Sequence, residues 1–353
     1  MSGVRRRPTS LLNLPGCDQL RSLHTTVRGD SIVLNPTFYA TGSGPPPAVT
    51  LVGAQKRLVD LRLEITTGGA RSATVFRWAE DGGASGSWTS GVSANSGSPA
   101  GTVPLGTTGV SAAFPLGTYN TDNVYVSKVV QWNDVSLRGR HYENALATDG
   151  TNLPRLVRNP TTGRWALRFF KANGTYLRIA SSAYCTELIG GNDTPVTILT
   201  VAAIHGAVGS QHFIHSITNT TLSTSELSLL AHSDSKWGVS KRGSSGAESF
   251  TPGTHSGGTV DNTAVHRFEH VHFGQSVALW DNGVQAVGTG GAGVAQDVPS
   301  LTVTEAFLGG IRSGANIYGD VDVYGQAAYA GALDANTRAI LRQWLQYNPQ
   351  GLY

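Results

Sequence analysis

The chain has 353 residues, enough for two or three domains with a sizeable core. Only 14% are Asp, Glu, Lys or Arg, while 44 are glycine, about 12% and nearly twice the usual share. Ordinary apolar content with so little charge argues against disorder, and no run of about 18 apolar residues offers a membrane helix.

Residues 1–48 read as an extended arm and linker. Residues 1–28 carry five arginines and one aspartate, so this stretch holds the surplus behind the formal net charge of +3. Arg5, Arg6 and Arg7 have no apolar run behind them, which is unlike a secretory signal. The stretch ends in Gly42-Ser43-Gly44-Pro45-Pro46-Pro47, a flexible joint followed by a stiff spacer. It has too little apolar surface to order itself, and the expectation is a docking arm inserted into a neighbouring subunit. Arg28-Gly29-Asp30 within it is best explained by chance.

Residues 49–127 predict a small β-sandwich. Leu58 to Ile65, Ala73 to Trp78, Val103 to Leu105, Val110 to Phe114 and Val124 to Val126 are short apolar runs separated by Gly, Pro or Asn. Ile65-Thr66-Thr67-Gly68-Gly69 through Trp78, Gly82, Gly83 and Trp88 resembles small β-domains of phage structural proteins.

Residues 128–353 are again strand-rich. Strands are expected over 165–170, 176–180, 196–204, 212–217, 227–231, 264–273, 276–280, 284–287, 301–308 and 321–329. Asp281-Asn282-Gly283 predicts a tight hairpin, because Asn-Gly accepts the positive φ of a type I′ turn. Asp334 predicts a helix cap, and Thr337, Ile340, Leu341, Trp344 and Leu345 repeat at the spacing of one packed helical face. A basic stretch from Arg138 to Arg178 alternates with apolar residues, as an exposed sheet face does, so nucleic-acid binding is not expected.

Trp132-Asn133-Asp134, Pro154 to Val157, Gly163 to Phe169 and Gly174-Thr175-Tyr176-Leu177 resemble the opening of a concanavalin A-like, laminin-G-type domain. Leu279 to Gly283 is similar to that family's central hairpin. Leu308-Gly309-Gly310, Tyr318 to Tyr324, Ala332-Leu333-Asp334 and the terminal helix are similar to its ending. The resemblance implies an all-β chain: arm, small β-sandwich, then a two-sheet jelly roll with a short C-terminal helix. Related domains often carry calcium at loop ends, but no acidic loop cluster supports it here, and no cofactor or metal is expected.

This fold serves lectins, glycan hydrolases and interaction modules alike, so chemistry must come from residues. Retaining glycosidases need two carboxyl groups about 5 Å apart. The Glu-x-Asp-x-Glu strand of laminarinases is missing, and Asp320 and Asp322, on one side of a strand, are expected about 7 Å apart without chemistry. His266-Arg267-Phe268-Glu269-His270 has a zinc-protease spacing that requires a helix. On the strand expected here, His266 and His270 stand about 13 Å apart and cannot share an ion. His270 and His272 could, but paired polar residues on a strand face are the commoner case. Gly288 to Gly293 fits Gly-x-Gly-x-x-Gly without the helix that fingerprint needs. Neither a Gly-x-Ser-x-Gly elbow nor a Walker lysine loop occurs. Cys17 and Cys185 form no metal or disulfide pattern. Sequons at Asn173, Asn192 and Asn219 matter only on a eukaryotic secretory route.

Aromatic residues in loops, such as Trp237 or Tyr318, are candidates to stack on sugar rings. No catalytic, metal or defined glycan-binding residue is assigned. The sequence thus leads to a non-enzymatic virion protein, a fibre, spike or decoration subunit. Residues 1–48 would anchor it to other virion subunits, as a homo-oligomer without membrane insertion, and the jelly roll would face cell-surface glycans. A stand-alone secreted carbohydrate-binding adhesin is the alternative, and a polysaccharide hydrolase a more distant one.

Overall fold

The computed structural model describes residues 18–26, 31–136, 138–144, 150–160, 162–189, 194–218, 226–242, 248–252, 259–273, 276–287, 303–311 and 317–347. The chain is all-β with short helices, and it divides into two compact units. The first comprises Met1–Thr25, Asn133–Glu143 and Phe169–Tyr353, the second Thr26–Trp132 and Asn144–Arg168. The boundary expected between 127 and 128 is therefore replaced by an interleaved division.

The first unit is a sandwich of two antiparallel sheets. One sheet runs in the order Leu20–Thr25, Val321–Ala330, Val196–Ile204, His266–Phe273, Ser276–Asp281, Val284–Val287. The other runs Tyr142–Glu143, Leu177–Ile179, Glu305–Leu308, His212–Thr218, Glu226–Ala231, Trp237–Arg242, Glu248–Pro252. Nearly every described position of Val196–Ile204 and Val321–Ala330 is buried. Strands covered on both faces lose the apolar–polar alternation of a half-exposed sheet. The hairpin at 281–284 turns through Asn282 at φ 52° and Gly283 at φ 84°, as the Asn-Gly pair predicts.

Helix α1 (Ser182–Ile189) buries Tyr184, Cys185, Leu188 and Ile189. Helix α2 (Ala335–Tyr347) starts at Asp334, whose carboxylate accepts the backbone N–H groups of Asn336 and Thr337 at 2.9 and 3.0 Å. Leu341, Trp344 and Leu345 are buried as the spacing predicts, and Arg338 joins them because Glu269 waits beneath it. Arg338 donates to Glu269 at 2.9 Å, and Arg342 donates to the other carboxylate oxygen.

The arm expected over 1–48 needs correction from residue 20 onward. Leu20–Thr25 pairs along Val321–Ala330, from Leu20 opposite Tyr329 to Thr25 opposite Gly325. Ile32–Leu34 pairs with Val129–Trp132, and Tyr39–Thr41 with Val124–Val126. Buried Leu20, Leu23 and Ile32 supply the apolar surface that the basic, polar composition concealed. Residues 1–17 of the arm, with Cys17, lie outside the described residues, as does Arg28-Gly29-Asp30.

The second unit contains a five-stranded sheet, Tyr39–Thr41, Val124–Val126, Arg62–Thr67, Val75–Ala79, Thr89–Ser93, and a three-stranded sheet, Thr50–Gly53, Val110–Ala113, Thr102–Pro104. Their core includes Leu61, Leu63, Ile65, Phe76, Trp78, Phe114 and Tyr125. Arg155–Arg158 and Trp165–Phe169 form a hairpin. Within this unit Arg155 donates to both oxygens of buried Asp60 at 3.0 and 2.8 Å. Burial pushes the Asp60 carboxyl up to about 6 even against the pull of Arg155.

Candidate functional site

In the first unit two half-exposed tyrosines come together: Tyr318, which ends the two-residue strand Ile317–Tyr318, and Tyr176, just ahead of the strand Leu177–Ile179. Phe170 leads into a single 3-10 turn, Lys171–Asn173, which Gly174 closes in the left-handed region at φ 60°. The turn delivers Tyr176 next to Tyr318, with ring centroids 6.0 Å apart and planes 18° from parallel. Phe307 supports Tyr176 from below at 5.7 Å. A Cβ on Gly174 would stand 3.0 Å from the Tyr318 ring, so glycine is what allows that ring its position. Burial, and then the neighbouring Tyr176, hold the Tyr318 hydroxyl above the usual phenol range.

Polar groups surround the pair. Lys171 donates its backbone N–H to Asp320 Oδ1 at 2.8 Å and its ammonium to the Gln211 carbonyl at 3.1 Å. Asp320 N–H donates to His212 Nδ1 at 3.1 Å, and His212 Nε2 donates to the Ala207 carbonyl at 3.1 Å. Those two bonds fix a neutral tautomer, and burial accordingly lowers the His212 pKa. His205 donates to the Phe169 carbonyl at 2.9 Å and lies edge-on to Phe170. Asn262 ties the facing loop in by donating to the Gly206 carbonyl at 3.1 Å. The result is an aromatic surface fringed by an ammonium, a carboxylate and amide groups, the pairing of apolar face and polar edge that suits a sugar ring.

Of the two aromatic candidates, only Tyr318 is at this rim. Trp237 is 0% exposed, packed edge-on against His266 at 4.9 Å and Phe268 at 4.7 Å, so it cannot meet a ligand from solvent. Asp320 precedes its strand and binds the Lys171 turn, while Asp322 is buried with Oδ1 4.0 Å from His205 Nε2. Their carboxylates have separate partners. Asn173 is exposed on the turn; Asn192, Asn219 and Gly288 to Gly293 lie outside the described residues.

The His-x-x-Glu-His run is strand, as expected, within His266–Phe273. His266 donates from Nδ1 to Asp281 at 2.7 Å and from Nε2 to the Asp261 carbonyl at 2.8 Å. With acceptors at both nitrogens it is held as a cation; burial opposes the charge, but Asp281 and Asp261 outweigh it and raise the pKa. His270 instead meets His215 across the sandwich. No group of three or more His, Cys, Asp or Glu suited to a metal occurs among the described residues.

Sequence reasoning missed a polar chain through the core of this unit. Tyr142 donates to Gln326 Oε1 at 2.7 Å, Gln326 Nε2 to Thr200 Oγ1 at 3.3 Å, and Thr200 to His215 Nδ1 at 3.3 Å. His215 Nε2 then donates to His270 Nδ1 at 3.2 Å. This direction of donation satisfies each link with both histidines neutral, and leaves the buried His270 Nε2–H without a partner.

No protein-family model matches the chain, and no curated protein matches it in sequence. Solved structures do match. A sialidase of Trypanosoma rangeli is 13% identical with a TM-score of 0.43, over 62% of this chain and 31% of the sialidase. An arabinofuranosidase complexed with arabinofuranosyl-α-1,2-xylobiose is 13% identical with a TM-score of 0.47, over 92% of this chain and 62% of that one. The CBM40 of a Ruminococcus gnavus sialidase, bound to α2,6 sialyllactose, is 14% identical with a TM-score of 0.34, over 42% and 82%. The chain thus spans about a third of the length of the sialidase. These similarities are to carbohydrate-binding and glycosidase-type β-folds. Because sialidases and an arabinofuranosidase stand among them, the expectation of a protein without enzymatic activity is withdrawn.

Proposed function

We propose that the chain binds glycans at the rim formed by Tyr176 and Tyr318. The observation that carries this reading is the pair of near-parallel, half-exposed rings, kept in place by Gly174 and edged by Lys171 and Asp320. Each ring offers a face to sugar C–H groups, and the edging groups supply directional hydrogen bonds.

A glycan array followed by calorimetry tests it. The intact chain should bind a subset of glycans, and Tyr318→Ala and Tyr176→Ala should each weaken binding about tenfold, equivalent to about 1.4 kcal/mol. Unchanged binding in both variants, or none in the intact chain, refutes the reading. Assaying the bound glycans for new reducing ends asks in the same experiment whether binding is followed by cleavage.

The proposed setting is a virion, with the chain as a fibre, spike or decoration subunit. Support comes from the low charge, since interface centres are depleted of Lys, Glu and Asp, and from the resemblance of the Ile65 to Trp88 region to phage β-domains. Antibody against the chain should label purified particles; particles without it remove this setting and leave glycan binding untouched.

A further inference from the structure

The turn Lys171–Asn173, which sets the tyrosine rim, also carries one of the two Asn-Gly pairs of the chain, the other being Asn282-Gly283. In such a pair no side chain shields the glycine nitrogen, so it can attack the asparagine carboxamide carbon and close a ring. What holds the two groups apart differs between the sites. Asn282 donates its N–H to the Arg267 carbonyl at 3.0 Å, and its Oδ1 accepts from Arg267 Nε at 2.8 Å. It lies at φ 52° in the hairpin between Ser276–Asp281 and Val284–Val287, and a Cβ on Gly283 would stand 2.9 Å from the Arg342 guanidinium. Backbone and carboxamide are both fastened there. Asn173, by contrast, is exposed, and its carboxamide has no partner among the described residues. Its turn buries no residue and is closed by three backbone bonds: Asn173 N–H to Phe170 at 3.2 Å, Gly174 N–H to Lys171 at 3.1 Å and Thr175 N–H to Phe170 at 3.2 Å. A single 3-10 turn at the surface has poor hydrogen-bond geometry and opens locally at little cost. Opening frees the Gly174 nitrogen beside an unrestrained carboxamide.

We propose that Asn173 is a site of spontaneous deamidation, which displaces the Tyr176–Tyr318 pair as the protein ages. The Gly174 nitrogen gives up its proton to solvent and bonds to Asn173 Cγ; the Cγ–Nδ2 bond breaks, and Nδ2 takes up a proton and leaves as ammonia. Water then opens the resulting succinimide at either carbonyl, giving aspartate or isoaspartate. Both products place a new negative charge in the turn whose Lys171 N–H is bound by Asp320. Isoaspartate also lengthens the main chain by one carbon immediately before Gly174, where a Cβ would already stand 3.0 Å from the Tyr318 ring. Conversion of Asn173 and movement of the rings are independent of any ligand, and only the consequence for glycan binding rests on the function proposed above.

Storage of the intact chain in mildly alkaline buffer, with samples digested by trypsin, tests it, because cleavage after Lys171 and Arg178 isolates the peptide that holds Asn173. Mass spectrometry and enzymatic methylation of isoaspartate measure the converted fraction. In the folded chain Asn173 should convert, faster as the pH rises, while Asn282 stays intact; in urea both should convert at similar rates. Equal conversion at the two sites in the folded chain, or conversion of Asn173 in urea alone, overturns the proposal. Ring signals of Tyr176 and Tyr318 in NMR spectra should shift in proportion to isoaspartate, and should stay in place in Asn173→Ser aged alongside. Ring signals that ignore the conversion overturn the proposal as well. Glycan binding by the same samples should fall with the converted fraction. If the fresh chain binds no glycan while the ring signals still move on ageing, the glycan reading fails and the deamidation site stands.

Discussion

Mild acid should unfold the first unit through its buried histidines. Burial pushes His215 down to about 3; burial likewise brings His24 to about 4, against the opposing pull of Asp134 and the Arg140 carbonyl. In the unfolded chain both titrate near 6.5. The fold therefore binds fewer protons than the unfolded chain below that value, so their stabilisation is complete above pH 6.5 and is lost as the pH falls toward 4 and 3. At pH 5 each histidine has removed about 2 kcal/mol, or about 4 kcal/mol together, from a total that for ordinary domains is about 5–15 kcal/mol. His270 acts in the same direction, pushed well down by burial and then by His215 and His272. His266 acts in the opposite direction, since its raised pKa contributes stability at low pH that is lost as the pH climbs through its folded value. Urea titrations at half-unit steps from pH 8 to 4.5, with hydrogen exchange of the Val196–Ile204 strand, provide the measurement. Below pH 6 the slope should approach about 3 kcal/mol per pH unit, and His215→Gln should remove about 1.4 of it. A free energy that stays level between pH 7 and 5, or a slope unaffected by His215→Gln, refutes the reasoning.

Three substitutions probe the rest of the first unit. Gly174→Ala combines a positive φ with a Cβ 3.0 Å from Tyr318; it should cost about 1 kcal/mol in thermal unfolding and weaken glycan binding by moving the ring. Glu269→Leu strands Arg338 and Arg342 with little solvent to replace the carboxylate; a loss of about 3–5 kcal/mol, with faster hydrogen exchange in α2, is expected in urea unfolding. Asp334→Ala removes the acceptor for two N–H groups at the start of α2 and should cost about 1 kcal/mol by the same measurement.

Where structure follows from local pattern, the sequence was readable. Val196–Ile204 and Val284–Val287 have the expected ends, because runs rich in β-branched and apolar residues are bounded there by Pro195 and Gly206 and by Gly283 and Gly288. The Asn282-Gly283 turn and the Asp334 cap each rest on chemistry within a few residues. Leu20–Thr25 was hidden for the opposite reason. Its partner strand is about 300 residues away, and its polar Ser22 and His24 are buried by that partner and by α1, where Ser22 meets Tyr184 at 2.9 Å. Tyr318 was expected in a loop but ends the short strand Ile317–Tyr318, its companion Tyr176 was expected within a strand but precedes one, and only the turn through Gly174 brings the two together.

The His266 to His272 segment shows how far period alone determines meaning. On a helix, His266 and His270 would face one ion, with Glu269 beside them. On a strand, alternation sends His266, Phe268, His270 and His272 to one face and Arg267, Glu269 and Val271 to the other. The inner histidines meet Asp281 and His215, whereas Glu269 emerges beneath α2 and anchors Arg338 and Arg342. A spacing that resembles a zinc site becomes two devices of stability, one on each side of the same sheet. The inner one also explains the expected acid sensitivity, because a neutral histidine chain can cross a dry core only while no proton is added to it.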